Sequence, residues 1–227
     1  MPRLLLLIPA FNEAAIIGEV LDGLPRQIHG MGKIDVVVID DGSQDNTFEI
    51  AKRKKVKVFR HSLNLGLGAV LGTGFEYAVN TGYDFVITVD ADGQHQPDDV
   101  VNIAKSLLTE KSDIVIGSRS LSKKNMPLVR RLVNFLSNTL TFLLFNVWTT
   151  DSQSGLRGFT KAALKKLKIR SQRMEVSSEI FKEIGRLHLT FVEVPITAIY
   201  TDYSLTKGQP ISNAPNVFWK LLLQRFA

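Results

Sequence analysis

The chain has 227 residues, 44% of them hydrophobic and 22% charged, which is enough for one α/β domain with a sizeable core and excludes a disordered or fibrous protein. Lys and Arg outnumber Asp and Glu by 28 to 22, a net charge of +6 that suits anionic partners such as nucleotides or phospholipid. Cysteine is absent, which excludes a disulfide framework and a thiolate metal centre and fits a reducing compartment.

In chain order, Arg3–Ile8 reads as a strand, Glu13–Leu24 as a helix and Asp35–Asp40 as a strand. Asn46–Lys54 reads as helical, Val56–Arg60 as extended and Gly66–Thr81 as helical. Asp84–Asp90 and Asp113–Ser118 are further strands. Between them Pro97–Glu110 is a helix, with Pro97 at its start and Asp98 and Asp99 favouring the positive end of its dipole. Such alternation predicts a mostly parallel central sheet flanked by helices, with a Rossmann-like nucleotide-binding half. The five apolar residues from Leu4 to Ile8 are too few for an export signal.

From Ser120 the pattern changes. A polar loop, Ser122 to Pro127, leads into an apolar stripe over Leu128–Trp148 that begins with Arg130 and Arg131. Polar residues interrupt the stripe, so it is expected to lie on a membrane or in a core, since a spanning helix needs roughly 20 mainly apolar residues. Thr160–Leu167 and Val176–Leu187 read as helices and Thr190–Tyr200 as a last strand. The tail, Asn216–Phe226, reads as an amphipathic helix with a basic face, suited to the core or to anionic lipid.

Asp90 and Asp92 end the apolar run Val86–Val89. In an extended chain, residues i and i+2 point the same way, so both carboxylates converge at the strand's carboxyl end, where open α/β sheets bind ligands. Two hard oxygen donors suit Mg²⁺ or Mn²⁺ bridged to a phosphate. The loops Pro9-Ala10-Phe11-Asn12-Glu13, Asp40-Asp41-Gly42-Ser43 and Asn64-Leu65-Gly66-Leu67-Gly68 are expected at the same edge. Gly66-x-Gly68 lacks a third glycine at dinucleotide-binding spacing, because position 71 is Leu. The four histidines have no paired-ligand spacing, so zinc is not expected and His95 is read as support for the acidic pair or as a diphosphate contact. Trp148 and Trp219 read as packing or interfacial anchors. Glu175 and Glu179 lie one helical turn apart, with Glu179 either facing the site or at the surface.

Together with Asp90-Ala91-Asp92-Gly93-Gln94-His95, Gly117-Ser118-Arg119 and Asp151-x-Gln153-Ser154-Gly155-x-Arg157, these loops resemble family 2 glycosyltransferases, the inverting enzymes of the GT-A fold. The likeness runs from about Arg3 to Lys207. Within the family the chain is most similar to dolichol-phosphate mannose synthases and bacterial polyprenyl-phosphate glycosyltransferases, through Asp90 to His95 and the Arg130-Arg131 helix. The resemblance implies a GT-A domain over residues 1–205, with a nucleotide-sugar half to about 119 and an acceptor half beyond it. Residues 206–227 would form a basic loop and the terminal helix.

The resemblance also implies roles. Asn12, Glu13 and Asp41 would hold the nucleoside, with Pro9 and Asp40 close by. Asp90 would contact the nucleotide sugar. Asp92 and Gln94, beside Asp90, would bind the divalent cation. Arg119 and Arg131 would attract the acceptor phosphate, with Arg130 as the alternate. Asn134 stands where these synthases commonly have serine, while Asn138 matches their asparagine. Lys207 lies where the family has a mobile basic loop over the phosphates. The implied reaction moves a hexose from a GDP- or UDP-linked donor to a polyprenyl phosphate, peripherally on the cytoplasmic face of the membrane and without nucleic acid. In the alternative, a glycan hydroxyl is the acceptor and Asp151 is the general base. A nucleotidyltransferase and a non-catalytic binding domain are the rival classes. The first would carry a Gly-rich basic loop after the first strand, and the second would not need both Asp90 and Asp92.

Overall fold

The computed structural model describes residues 1–122, 128–197 and 199, with the side chains of Leu128 and Val129 excepted. Lys207 and the tail helix expected over Asn216–Phe226 therefore lie outside the described residues.

The elements are β1 (Leu4–Ala10), α1 (Ile17–Gly23), β2 (Ile34–Asp40), α2 (Thr47–Arg53), β3 (Lys57–Arg60), α3 (Leu67–Thr81), β4 (Phe85–Thr88) and α4 (Pro97–Thr109). They continue with β5 (Ile114–Ser118), α5 (Arg119–Ser122), α6 (Leu128–Phe145), β6 (Arg157–Thr160), α7 (Lys161–Lys166), α8 (Val176–Leu187) and β7 (Phe191–Pro195). The described strands form one seven-stranded sheet in the order β3-β2-β1-β4-β6-β5-β7. Pairing is parallel except at β6, which runs antiparallel to both β4 and β5.

β1 is central and reads as an unbroken apolar run because both of its faces are covered. Leu4, Leu6 and Ile8 join the core beneath α1 and α4 with Ile17, Leu21, Ile103 and Leu107. Leu5 and Leu7 face the other layer with Val70, Phe75 and Ile180. Burying such side chains contributes about 1.5–3 kcal/mol each. The two layers hold the sheet rigid, so the carboxyl ends of β1, β2, β4 and β5 present their loops along one edge.

The structure departs from the sequence reading at several boundaries, among them β4, which ends at Thr88 rather than Asp90. α1 starts at Ile17 rather than Glu13, because the Glu13 amide donates to Thr47 Oγ1 (2.7 Å) and the Ala14 amide to Asp45 (3.1 Å). Those bonds tie the loop to α2 instead of starting a helix. The last strand ends at Pro195 rather than running to Tyr200. Thr197 N donates to Asp99 and Ile199 N to the Gln94 carbonyl (2.9 Å), so the chain leaves the sheet toward the acidic loop. β6 is an element that the sequence reading lacks.

Candidate active site

The Asp90 to Gln94 loop follows β4 at the carboxyl edge of the sheet. Its conformation is set from within: Gln94 N and Nε2 both donate to the Asp92 carboxylate, at 3.0 and 2.6 Å. Behind it, Gly155 packs so closely that a Cβ there would overlap the Asp90 carboxylate. Thr88 Oγ1 donates to the Gly155 carbonyl (2.7 Å), locking that approach. His95 Nε2 lies 3.3 Å from Asp90 Oδ2. The ring, largely buried, is in the wall of a cleft of about 170 Å³ with Ile16, Val20, Leu24, Val89 and Val100.

Titration behaviour follows from these neighbours. Burial pushes Asp90 up, but the His95 bond and the charges of His95, Arg119 and Arg157 outweigh it and hold the carboxyl below its ordinary value. Asp92 is raised, by burial first and then by the charges of Asp90 and Glu13, despite the Gln94 amide. For His95, burial favours the neutral ring, yet the bond to Asp90 and the charges of Asp90 and Asp92 raise it above its ordinary value. Asp92 is thus a carboxylate under repulsion from its neighbours, which a divalent cation would relieve. Among the described residues no three His, Cys, Asp or Glu side chains converge as a complete metal cage. The donors fit Mg²⁺ or Mn²⁺ held by a few carboxylate oxygens and completed by substrate phosphate and water.

Several residues expected at the nucleoside hold the loops of this edge together. Asn12 sits at φ 54°, and its Oδ1 accepts from Gln44 N (2.8 Å) while its amide donates to Ser43 Oγ (2.9 Å). Asp40 is fully buried, 3.1 Å from Arg60 Nε, and accepts from Ser43 N (3.3 Å). Asp41 accepts from Leu65 N and Gly66 N, at 3.0 and 2.7 Å, and contacts His61 Nδ1 at 2.8 Å. Pro9 closes β1 beside Ile39. Gly66 has φ +97°, a conformation that favours glycine. At Gly66 and Gly68 a Cβ would collide with the 171–173 segment, which covers the start of α3. Glu179 is buried and accepts from the amides of Arg170 and Ser171 (both 2.9 Å), so it shapes that segment rather than lying at the surface.

On the other side of Asp90 stands an ion pair. Asp151 is 0% exposed, and Arg119 donates to it three times: from its backbone N (3.0 Å), Nε (2.8 Å) and Nη2 (2.7 Å). This two-point pairing holds the guanidinium plane at the end of β5. Arg130 is half-buried and Arg131 exposed on α6, one turn or more before the clamp formed by Asn134 and Asn138. Asn134 and Asn138 are buried, and both donate to the Thr150 carbonyl, at 3.2 and 2.7 Å.

Sequence reasoning assigned no role to Arg157. Its guanidinium is buried, donates to the Ser152 carbonyl (2.7 Å) and stacks 5.4 Å from the Phe181 ring. Burial lowers its pKa to about 10, opposed by the charges of Asp151 and Asp90, so it remains a cation at neutral pH. A lone arginine followed by Gly-Phe-Thr, in a segment without alternation, was the available signal. Glu193 was missed as well: its Oε1 accepts from Thr149 Oγ1 (2.7 Å) and Thr150 N (2.8 Å).

α6 is turned inside out. Asn134, Asn138 and Thr141 are buried, while Leu132, Phe135, Leu136 and Leu143 are 57–65% exposed. Trp148 continues the apolar face and meets Phe142 edge-on at 5.8 Å. No described helix is long and apolar enough to cross a membrane.

A mixed seven-stranded sheet in this order, flanked by helices, is the GT-A fold of glycosyltransferases. Residues 6–168 match the family described as Glycosyl transferase family 2, and the chain belongs to that family. It is 45% identical to an uncharacterized protein of Methanocaldococcus jannaschii, over 98% of this chain and 92% of the relative. It is 37% identical to the UDP-N-acetylglucosamine–dolichyl-phosphate N-acetylglucosaminyltransferase of Methanococcus voltae, over 96% of this chain and 94% of the relative. The undecaprenyl-phosphate mannosyltransferase of Micrococcus luteus is 28% identical, over 90% and 87%. Among solved structures, glucosyl-3-phosphoglycerate synthase from Mycobacterium tuberculosis, in complex with Mn²⁺, UDP and phosphoglyceric acid, superposes with a TM-score of 0.76. That match covers 99% of this chain and 78% of the other at 20% identity, a likeness of fold.

Proposed function

We propose that the enzyme transfers a hexose, with inversion, from a nucleotide sugar to a polyprenyl or dolichyl phosphate at a membrane surface. The observation that carries this reading is the engagement of Asp151. A hydroxyl acceptor needs a general base, and a buried carboxylate that pairs with Arg119 through both oxygens is a poor one. A phosphate acceptor is already anionic near neutral pH, with a second pKa of about 6, and needs positioning more than deprotonation. Arg119, fixed by Asp151, suits that task, with Arg131 or Arg130 on α6 as a second cation. The named relatives from Methanococcus voltae and Micrococcus luteus support a lipid-phosphate acceptor.

In this scheme the donor half is residues 1–119, and Asn12, Glu13 and Asp41 frame the nucleoside with Pro9 and Asp40 behind them. Asp90 orients the sugar and the donor diphosphate. Asp92, with Asp90 and Gln94, would hold Mg²⁺ or Mn²⁺. When bound, the cation neutralises charge that develops on the departing diphosphate. Arg119, at the junction with the acceptor half (about residues 120–205), would bring the acceptor oxygen to the anomeric carbon. The same relative from Methanococcus voltae makes a UDP-linked donor the first choice, ahead of GDP-mannose.

The exposed apolar face of α6 would rest on the lipid surface, seating the protein peripherally on the cytoplasmic face, where nucleotide sugars are made.

The test is incubation of the purified enzyme with Mn²⁺, a short polyprenyl phosphate and labelled UDP-N-acetylglucosamine, UDP-glucose or GDP-mannose in parallel. Label is expected in the organic phase with one of these donors and is expected to vanish in Asp92→Asn. Donor hydrolysis without extractable label in every arm would overturn the reading.

A further inference from the structure

We propose that Asn138 is a positioning residue for the acceptor arginine, acting through the 150–152 loop; the inference rests on the reading of Arg119 as the acceptor-phosphate group. Asn138 brackets Asp151 from both sides. Its Nδ2 donates to the Thr150 carbonyl at 2.7 Å, and its Oδ1 accepts from Ser152 N at 2.9 Å. Asp151 lies between those two groups and holds Arg119 by its backbone amide and by the Nε–Nη2 edge of its guanidinium. A path of hydrogen bonds therefore runs from the underside of α6 to the guanidinium of Arg119.

Thr150 is the hub of this path. Its carbonyl also accepts from Asn134 (3.2 Å), its amide donates to Glu193 (2.8 Å), and its hydroxyl meets Ser118 Oγ at 2.6 Å. Ser118 precedes Arg119, so the loop is tied to the end of β5 as well. Glu193 and Ser118 fix the loop from the sheet, and Asn138 alone among the described contacts reaches both peptide groups that flank Asp151. Asparagine suits this place because one short amide supplies a donor and an acceptor in one plane. Buried peptide groups need such partners, and their loss leaves the loop free to shift. A shift of about 1 Å in a positioning group is enough to cost on the order of 100-fold in rate. Opposite these bonds, α6 exposes Leu132, Phe135, Leu136 and Leu143. One helix thus carries the apolar face and the anchor of the acceptor arginine.

The test compares full-length wild type with Asn138→Leu, Asn138→Asp, and Thr141→Val as a control on the same buried face of α6. In Asn138→Leu, KM for polyprenyl phosphate is expected to rise about tenfold or more, while Mn²⁺-dependent UDP binding stays within about twofold. Asn138→Asp keeps the acceptor for Ser152 N but loses the donor to Thr150, and its acceptor KM is expected to lie between the two. Thr141→Val is expected to match wild type. In an Arg119→Lys background, Asn138→Leu is expected to add less than about twofold, because both changes act on one path. Loss of the slowly exchanging Arg119 Nε–H signal in Asn138→Leu, seen by NMR without any acceptor, is the expected structural readout. Equal losses of donor and acceptor binding, additive effects with Arg119→Lys, or an unchanged Arg119 signal would overturn the proposal. A wild type that transfers no sugar to polyprenyl phosphate would instead defeat the functional reading, and the Arg119 signal would still decide the positioning claim.

Discussion

Replacing Asp151 with Asn separates an anchor from a base. The carboxylate is fully buried and accepts three bonds from Arg119, whose side chain is 20% exposed. Asparagine keeps one acceptor oxygen and turns an NH₂ toward the guanidinium donors. Breaking a buried pair by removing one partner costs about 3–5 kcal/mol, and the partial exposure of Arg119 lets water recover some of it. We therefore expect a loss of about 3 kcal/mol. For a chain of this size that is about 6–12 °C in Tm, at roughly 2–4 °C per kcal/mol. Urea unfolding and calorimetry measure it directly. Asp22→Asn is the control, since it breaks a solvent-exposed pair with Lys54 and is expected to cost below about 1 kcal/mol. Sugar transfer by Asp151→Asn should fall together with stability, because Arg119 loses its orientation. Unchanged stability with abolished transfer, and loss of an acidic limb in the pH–rate profile, would refute the anchor and identify Asp151 as a base.

Further outcomes follow from the same geometry. Gly155→Ala is expected to displace the Asp90 loop and weaken Mn²⁺-dependent nucleotide binding at least about tenfold, the scale on which disturbed supporting groups weaken metal sites; calorimetric titration with UDP checks it. Leu136→Glu combined with Leu143→Glu changes exposed positions, so Tm should hold within about 2 °C while co-sedimentation with anionic vesicles is lost. Asp90 and His95 stabilise each other over a defined pH window. The Asp90 contribution is present above pH 3.8 and lost as pH falls through its lowered value. That of His95 is present below pH 6.5 and lost as pH rises through its raised value. Asp90→Asn should therefore lower the His95 pKa, and an NMR titration in which His95 does not move would sink the pairing.

Much of the sheet was legible because β1, β2, β4 and β5 are mainly apolar runs that end in polar loops. Parallel strands buried on both faces leave that signature, and Asp40, Asp90 and Ser118 mark where the runs stop. β6 was illegible for the opposite reason: Arg157-Gly158-Phe159-Thr160 is four residues long and starts with a charge. Its place between β4 and β5 is decided by tertiary pairing, and Gly158 is needed where a Cβ would press on Ile103 and Leu107. The Asp90–Asp92 spacing stood out in the sequence, but its reading as a site rested on the other loops that share its edge. What Asp41 and Asn12 do was not visible, because their partners are backbone amides such as Leu65 N and Gln44 N, which carry no sequence signature. The apolar stripe of α6 was visible, but its orientation was not. Only the partners of Asn134 and Asn138, at Thr150 and Ser152, reveal that the polar side faces inward.

The central claim is that the acceptor is a phosphate that needs no general base. It is tested most directly by offering the enzyme a short polyprenyl phosphate and the matching polyprenol side by side, with Mn²⁺ and the donor that proves active. Transfer to the phosphate alone, with a rate that stays level from about pH 7 upward once the acceptor's second ionisation near 6 is complete, is the predicted result. Transfer to the free alcohol at a comparable rate would contradict the account.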